Sequence, residues 1–250
     1  MRSLALLAAT LGIMISGMTA ARTTELKLVI GGSLAPLMKT LGPEFERASG
    51  HTLSIHFDST PNVVKLINAG VPLDAVLVPA DVFRDADARG HFVADSIADT
   101  ARVGFGVIVR AGAPKSDIST AEAFKKTLLG ASSVASTPSS AAGSTIAKVY
   151  ERLGIAAEMK ARTRAQAMPT DIAPAVARGD AELGIFLTNV FNAPDIELVG
   201  PFPPELQQEL VFTSAVATGA SEADAAKAFV DYLKTPAAIA AIKAAGMTPG

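Results

Sequence analysis

The sequence predicts an α/β fold in two lobes, each a mostly parallel sheet flanked by helices, joined by a two-strand hinge. Three observations predict it. Short β-branched runs alternate with helical spacings through most of the 250 residues, which is the pattern of βαβ units. That alternation starts afresh after Pro114. Two long apolar runs, Val103–Val109 and Leu210–Ala217, flank the restarted stretch, and glycines in the first ease a change of backbone angle. The first lobe is therefore expected to hold residues 22–103 and 214–250, with residues 104–213 inserted as the second.

Each element follows from its own spacing. Leu26–Ile30 is an apolar run ending in Gly31-Gly32, hence a strand. Leu37, Leu41, Phe45 and Ala48 recur at helical spacing and stop at Gly50. Leu53, Ile55 and Phe57 alternate with Ser54 and His56, as in a half-buried strand. A short helix over Pro61–Ala69 closes at Gly70, and Ala75–Val78 is a buried strand before a helix at Asp81–Arg89. Past the Val103–Val109 strand, Ser119 caps a helix over Thr120–Leu129. A strand at Ser133–Ser136, a helix at Gly143–Leu153 and a strand near Met159–Arg162 come next. A helix at Asp171–Arg178 and a strand at Leu183–Phe186 complete the second lobe. After Leu210–Ala217, helices at Glu222–Leu233 and Ala237–Ala244 end the chain.

The first 21 residues read differently. Arg2, the apolar stretch Leu4–Met18 and the small residues Thr19-Ala20-Ala21 form a cleavable secretory signal peptide. The stretch is shorter than the ~20 apolar residues a membrane span needs. There is no cysteine, so neither a disulfide nor a lipid-bearing cysteine is expected. The mature protein is expected free in a bacterial periplasm, as a monomer. With 22 basic and 24 acidic side chains, a net charge of −2 and no basic run, nothing points to nucleic acid or an anionic membrane surface. His51, His56 and His91 lack metal-ligand spacing, and no Gly-x-Ser-x-Gly elbow is present. No metal and no cofactor are expected. The absence of tryptophan argues against a ligand stacked on indole faces, as sugars often are.

Four strand-to-helix corners carry polar side chains, and such corners are where α/β proteins bind ligands. They are Gly31-Gly32-Ser33, Asp58-Ser59-Thr60-Pro61-Asn62, Ser136–Ser144 with Ser140 before the helix, and Met168-Pro169-Thr170-Asp171. Free N–H groups and the dipole at a helix start favour negative charge, each start being equivalent to roughly half a positive charge. A serine or threonine at one such corner is usually only a cap, as Thr170 would be for the helix behind it. Recurrence at four corners of a hinged, secreted chain points instead to a shared anion site.

The segments LVIGGSLAPLMKTLGPEFERASG and HFDSTPNVVKLINAGVPLDAVLVPAD resemble the opening of periplasmic molybdate-binding proteins. SAAGSTIAKVYERLG, VARGDAELGIF and AFVDYLKTPAAIAAIKAAGMTP continue that resemblance in order. It implies a type II periplasmic binding protein that closes over an oxyanion and serves an ABC permease. Carried over by position, the family's ligand hydroxyls fall on Ser33 and Thr60, with Ser59 adjacent, and one backbone donor falls on Ala142. A second family N–H falls on Pro169, which has none, so Thr170 would have to substitute. The family's cage tyrosine falls on Leu187, leaving Thr188 and Asn189 as polar neighbours. ISTAEAFKKTLL and GPFPPELQQ resemble an aconitate-isomerase branch of the same family. That branch implies a tricarboxylate substrate, with Asp58 as base and Arg162 or Arg164 as carboxylate partners. Two readings follow: a binding protein for a small anion, and an isomerase on the same scaffold.

Overall fold

The computed structural model describes residues 23–250; the expected signal peptide lies outside the described residues. Among the described residues, no helix is long and apolar enough to cross a membrane. The first lobe is built on β1 (Glu25–Gly31), which lies parallel to β2 (Thr52–Asp58) on one side and β3 (Ala75–Pro79) on the other. β3 is apolar throughout and buried throughout, because helices cover both of its faces. The edge strand β2 alternates in exposure, as its sequence does. On one face, α1 (Ala35–Ser49) buries Leu37, Leu41 and Phe45 and ends at Gly50 in the left-handed region, φ 74°. Phe45 meets Phe229 of α8 (Ala223–Tyr232) edge-on at 5.3 Å between ring centres, and α9 (Pro236–Ala244) packs beside them. On the opposite face, α2 (Thr60–Asn68) and α3 (Ala86–Gly90) enclose Val63, Ile67, Val76 and Phe92.

The second lobe has β5 (Val134–Ser136) between β6 (Thr163–Ala165) and β7 (Leu183–Leu187), all parallel. Around them lie α4 (Ala121–Gly130), α5 (Ala141–Leu153), α6 (Ala156–Arg162) and α7 (Ile172–Arg178). Each lobe thus has a parallel three-stranded core, and antiparallel strands join the two.

The joint is β4 (Ala98–Arg110). Residues 98–104 pair antiparallel with β9 (Glu209–Val216) in the first lobe's sheet. Residues 105–109 pair with β7, and 106–110 with β8 (Ile196–Pro201), in the second. The changeover falls at Gly104-Phe105-Gly106. A Cβ on Gly106 would lie 2.8 Å from Thr188 Cγ2 and 3.2 Å from the Gly200 carbonyl, so the crossing strand is threaded where a side chain has no room. β9 pairs along its whole length with strands of the first lobe. The return crossing therefore runs through residues 202–208, ahead of the expected 213/214 boundary. β10 (Thr248–Pro249) closes on β4.

Three local expectations are corrected. The strand expected near Met159–Arg162 is α6: Ile155 and Met159, four apart, are both buried, and the residues between are good helix formers. The strand of that region, β6, begins at Thr163. The helix expected over Asp81–Arg89 divides into a 3-10 turn, Ala80–Arg84, and α3, because Asp85 is extended and caps α3 by accepting from the Ala88 N–H at 2.9 Å. β8, for which the sequence predicted no strand, is a short edge strand, Ile196-Glu197-Leu198-Val199-Gly200-Pro201, with a ragged burial pattern.

Candidate functional site

The corners after β1, β2, β5 and β6 meet between the lobes. There they enclose a cavity of ≈ 20 Å³, enough for one compact group. Ser33, Asp58, Ser59 and Thr60 line it from the first lobe, and Ser140, Ala142 and Pro169 from the second. Phe186 and Leu210 are its apolar lining. No lysine or arginine is among the lining residues. A larger apolar crevice of ≈ 360 Å³ lies wholly in the second lobe beside Ile146 and Tyr150. It takes Ser136, Pro138 and Gly143 from the third corner, and no residue of the first lobe lines it.

The sequence could not say which hydroxyls are caps. Ser140 is one: its Oγ accepts from the Gly143 N–H at 3.0 Å and donates to the Thr137 carbonyl at 2.8 Å. Of the next N–H groups at the start of α5, Ala141 donates across the cleft to Thr60 Oγ1 at 3.3 Å and Ser144 donates to the Ser140 carbonyl. Only the Ala142 N–H has no partner among the described residues. Ser33 and Ser59 make no side-chain cap bond, although both stand at helix starts. Their hydroxyls remain free, as does the Thr60 N–H. The Ser33 and Ser59 hydroxyls and the Thr60 and Ala142 N–H groups are thus left unspent around the cavity, and the Thr60 and Thr137 hydroxyls line it with their protons undonated.

Asp58 supplies a carboxylate beside these donors. Burial pushes its pKa up, but bonds from Asn62 Nδ2 (2.8 Å), the Ser59 N–H (2.7 Å) and His56 Nε2 (3.2 Å) outweigh that and hold it below the ordinary value. All three partners lie within four residues of Asp58. The carboxylate therefore organises the turn into α2 and also withdraws the Ser59 N–H from any ligand.

Thr170, Leu187 and Thr188 are not brought to the cavity. Thr170 is exposed in a 3-10 turn, Pro169–Asp171. It does not cap α7; the turn is closed instead by Asp171, whose carboxylate accepts from the Met168 N–H at 3.2 Å. Leu187 pairs opposite Phe105 and is wholly buried at the hinge. Thr188 donates to the Gly104 carbonyl at 3.4 Å, so its hydroxyl also serves the hinge. Arg162 caps the end of α4, donating to the Leu129 carbonyl and to the Ala131 carbonyl at 2.7 Å, and Arg164 is exposed on β6; neither lines the cavity.

Two further residues, neither of them a leading candidate in the sequence, matter to the site. Asn189 Nδ2 donates to the Ser33 carbonyl at 2.8 Å, a buried bond from second lobe to first. Thr137 lines the cavity and is fully buried, with its Oγ1 unpartnered. Thr137 sits in the polar loop already singled out, so its signal was present. Asn189 was named beside Thr188 as a polar neighbour of Leu187, and it serves the site through the Ser33 carbonyl without lining the cavity.

A family model described as bacterial extracellular solute-binding protein matches residues 26–248. The chain belongs to that family. An aconitate isomerase from Pseudomonas sp is 30% identical to this solute-binding protein over 234 residues, covering 90% of this chain and 88% of the relative. The molybdate-binding protein ModA of Azotobacter vinelandii is 28% identical over 233 residues, covering 91% of each. A solved Azotobacter vinelandii periplasmic molybdate-binding protein superposes with a TM-score of 0.75 at 23% identity, over 89% of this chain and 98% of that one. The likeness to solved structures carries the two-lobed fold.

Proposed function

We propose that this solute-binding protein captures a small anion, either an oxyanion or an acid group of an organic acid, by closing its lobes, and delivers it in the periplasm to an ABC permease. One observation carries the reading: unspent neutral donors from both lobes surround one small cavity that, among the described residues, no cation lines. Hydroxyls and helix-start amides replace water around an anion without a salt bridge to break on release. Donors divided between lobes are all satisfied only when the cleft is shut, so an anion shifts the population toward closure.

The relation to an aconitate isomerase favours a second reading, catalysis at the same site. A proton-abstracting base works best with its pKa near the working pH. Asp58 is held below the ordinary carboxylate value and is bonded to three donors, which makes it a weak base. Binding is the better supported reading.

Melting curves of the mature protein with molybdate, tungstate, sulfate, citrate, aconitate and tricarballylate test both. A true ligand raises Tm in proportion to the logarithm of its concentration. Ser33→Ala is expected to weaken that ligand by roughly 1–3 kcal/mol, the cost of leaving a buried charge one donor short. Unchanged affinity in Ser33→Ala would remove Ser33 from the site, and absorbance-detected turnover of aconitate would replace the binding reading with the catalytic one.

A further inference from the structure

The cavity between the lobes is not closed on every side. Thr60, Ser140, Ala141 and Leu210 line it and also line a second chamber of ≈ 400 Å³ at the cleft mouth. Two cations border that chamber, Arg84 from the first lobe and Lys148 from the second. Lys148 has no carboxylate within 4.0 Å among the described residues. Arg84 is paired with Asp81 through one nitrogen at 2.5 Å, which leaves most of its five N–H donors open. Its side chain is 77% exposed, so it can swing at little cost.

We propose that Arg84 and Lys148 form a second acid-binding subsite, and that the ligand is an organic acid with two or more carboxylates a few carbons apart. The proposal rests on the anion-capture reading above and names the class of anion. Volume favours it, since the inner cavity of ≈ 20 Å³ admits one compact group and any further ligand atoms must occupy the chamber. A second carboxylate placed there would face a guanidinium from one lobe and an ammonium from the other, so ligand length is coupled to closure. Asp81 and Glu209 also border the chamber and offset its two positive charges. The chamber therefore recognises a tethered second acid and does not gather free anions by itself.

Titration calorimetry with acetate, succinate, tricarballylate, sulfate and molybdate tests the proposal on the wild type, Ser33→Ala and the double variant Arg84→Gln/Lys148→Gln. Both cations are exposed, so the double variant is expected to fold, and its melting curve checks that. Succinate or tricarballylate is expected to bind the wild type at least tenfold more tightly than acetate. The double variant is expected to lose at least tenfold for the polyacids while sulfate and acetate change less than threefold. Equal losses for all anions would reduce the two cations to a general field effect and overturn the subsite. Tight sulfate or molybdate binding without polyacid binding would also overturn it, leaving the inner site intact. Failure of every anion to bind would overturn the anion-capture reading itself.

Discussion

Ser140 and Ser33 are the same residue type at the same kind of corner, yet they do opposite things. Ser140 spends its hydroxyl on Gly143 and Thr137, while Ser33 keeps its own free and is held through its carbonyl by Asn189. Residue chemistry alone gives a list of candidates, and bonding selects among them. Asp58 is the other case. Its carboxylate stabilises the turn and opposes a bound anion at the same time. Asp58→Asn keeps an acceptor for the Ser59 N–H and removes the charge, so anion affinity is expected to rise by roughly 3- to 10-fold, about one unit of charge acting through a partly screened path. Titration with the winning ligand checks this. The folded-state pKa of Asp58 is lowered, so its contribution to stability is present above the ordinary value of 3.8 and is lost as pH falls below it. Acid unfolding of Asp58→Asn should accordingly depend less steeply on pH in that range.

Among elements, α5 shows how a helix start becomes a binding surface. Ser140 is its cap, Ala142 keeps an unpartnered N–H, and Gly143 lets the preceding loop fold tightly over the first turn. A Cβ at Gly143 would lie 2.3 Å from the Thr137 carbonyl oxygen and 2.5 Å from that of Pro138. Both are backbone atoms, so relief requires the loop itself to move. Gly143→Ala is expected to destabilise the protein by roughly 1–3 kcal/mol, the usual cost of overpacking, despite alanine's better helix propensity. It should weaken anion binding as well, since the displaced loop carries Thr137 and Ser140. Chemical denaturation and titration of the same variant measure the two effects, and a variant as stable as wild type would show that the loop yields freely.

At the scale of the whole molecule, two hydrogen bonds tie the lobes on either side of the cavity: Ala141 to Thr60, and Asn189 to Ser33. The Asn189 bond is buried, and its loss would leave the Ser33 carbonyl without that donor. Asn189→Ala is expected to favour the open form, seen in small-angle scattering as a larger radius of gyration without ligand. Saturating anion should restore the wild-type value, at a Kd raised about tenfold, because ligand binding must now supply the closing energy. A scattering profile identical to wild type at zero ligand would show that Asn189 does not hold the lobes together. β4 makes such motion possible, because one strand serves both sheets and changes partners at Gly104–Gly106.

By itself the sequence determined the α/β class, the order of most strands and helices, and the four polar corners. Those follow from periodicity, glycine and hydroxyl placement within a few residues, which is local information. Its errors were local too: Met159–Arg162 is helical where a strand was expected, and the short edge strand β8 had no expectation behind it. Only the tertiary structure decided that Leu187 and Thr188 belong to the hinge and that Ser140 is a cap. It alone left Ser33, Ser59, Thr60 and Ala142 with donors to spare. The physical reason is distance along the chain. Whether a donor is free depends on groups as far away as the 81 residues between Thr60 and Ala141 or the 156 between Ser33 and Asn189, and no local pattern reports on those.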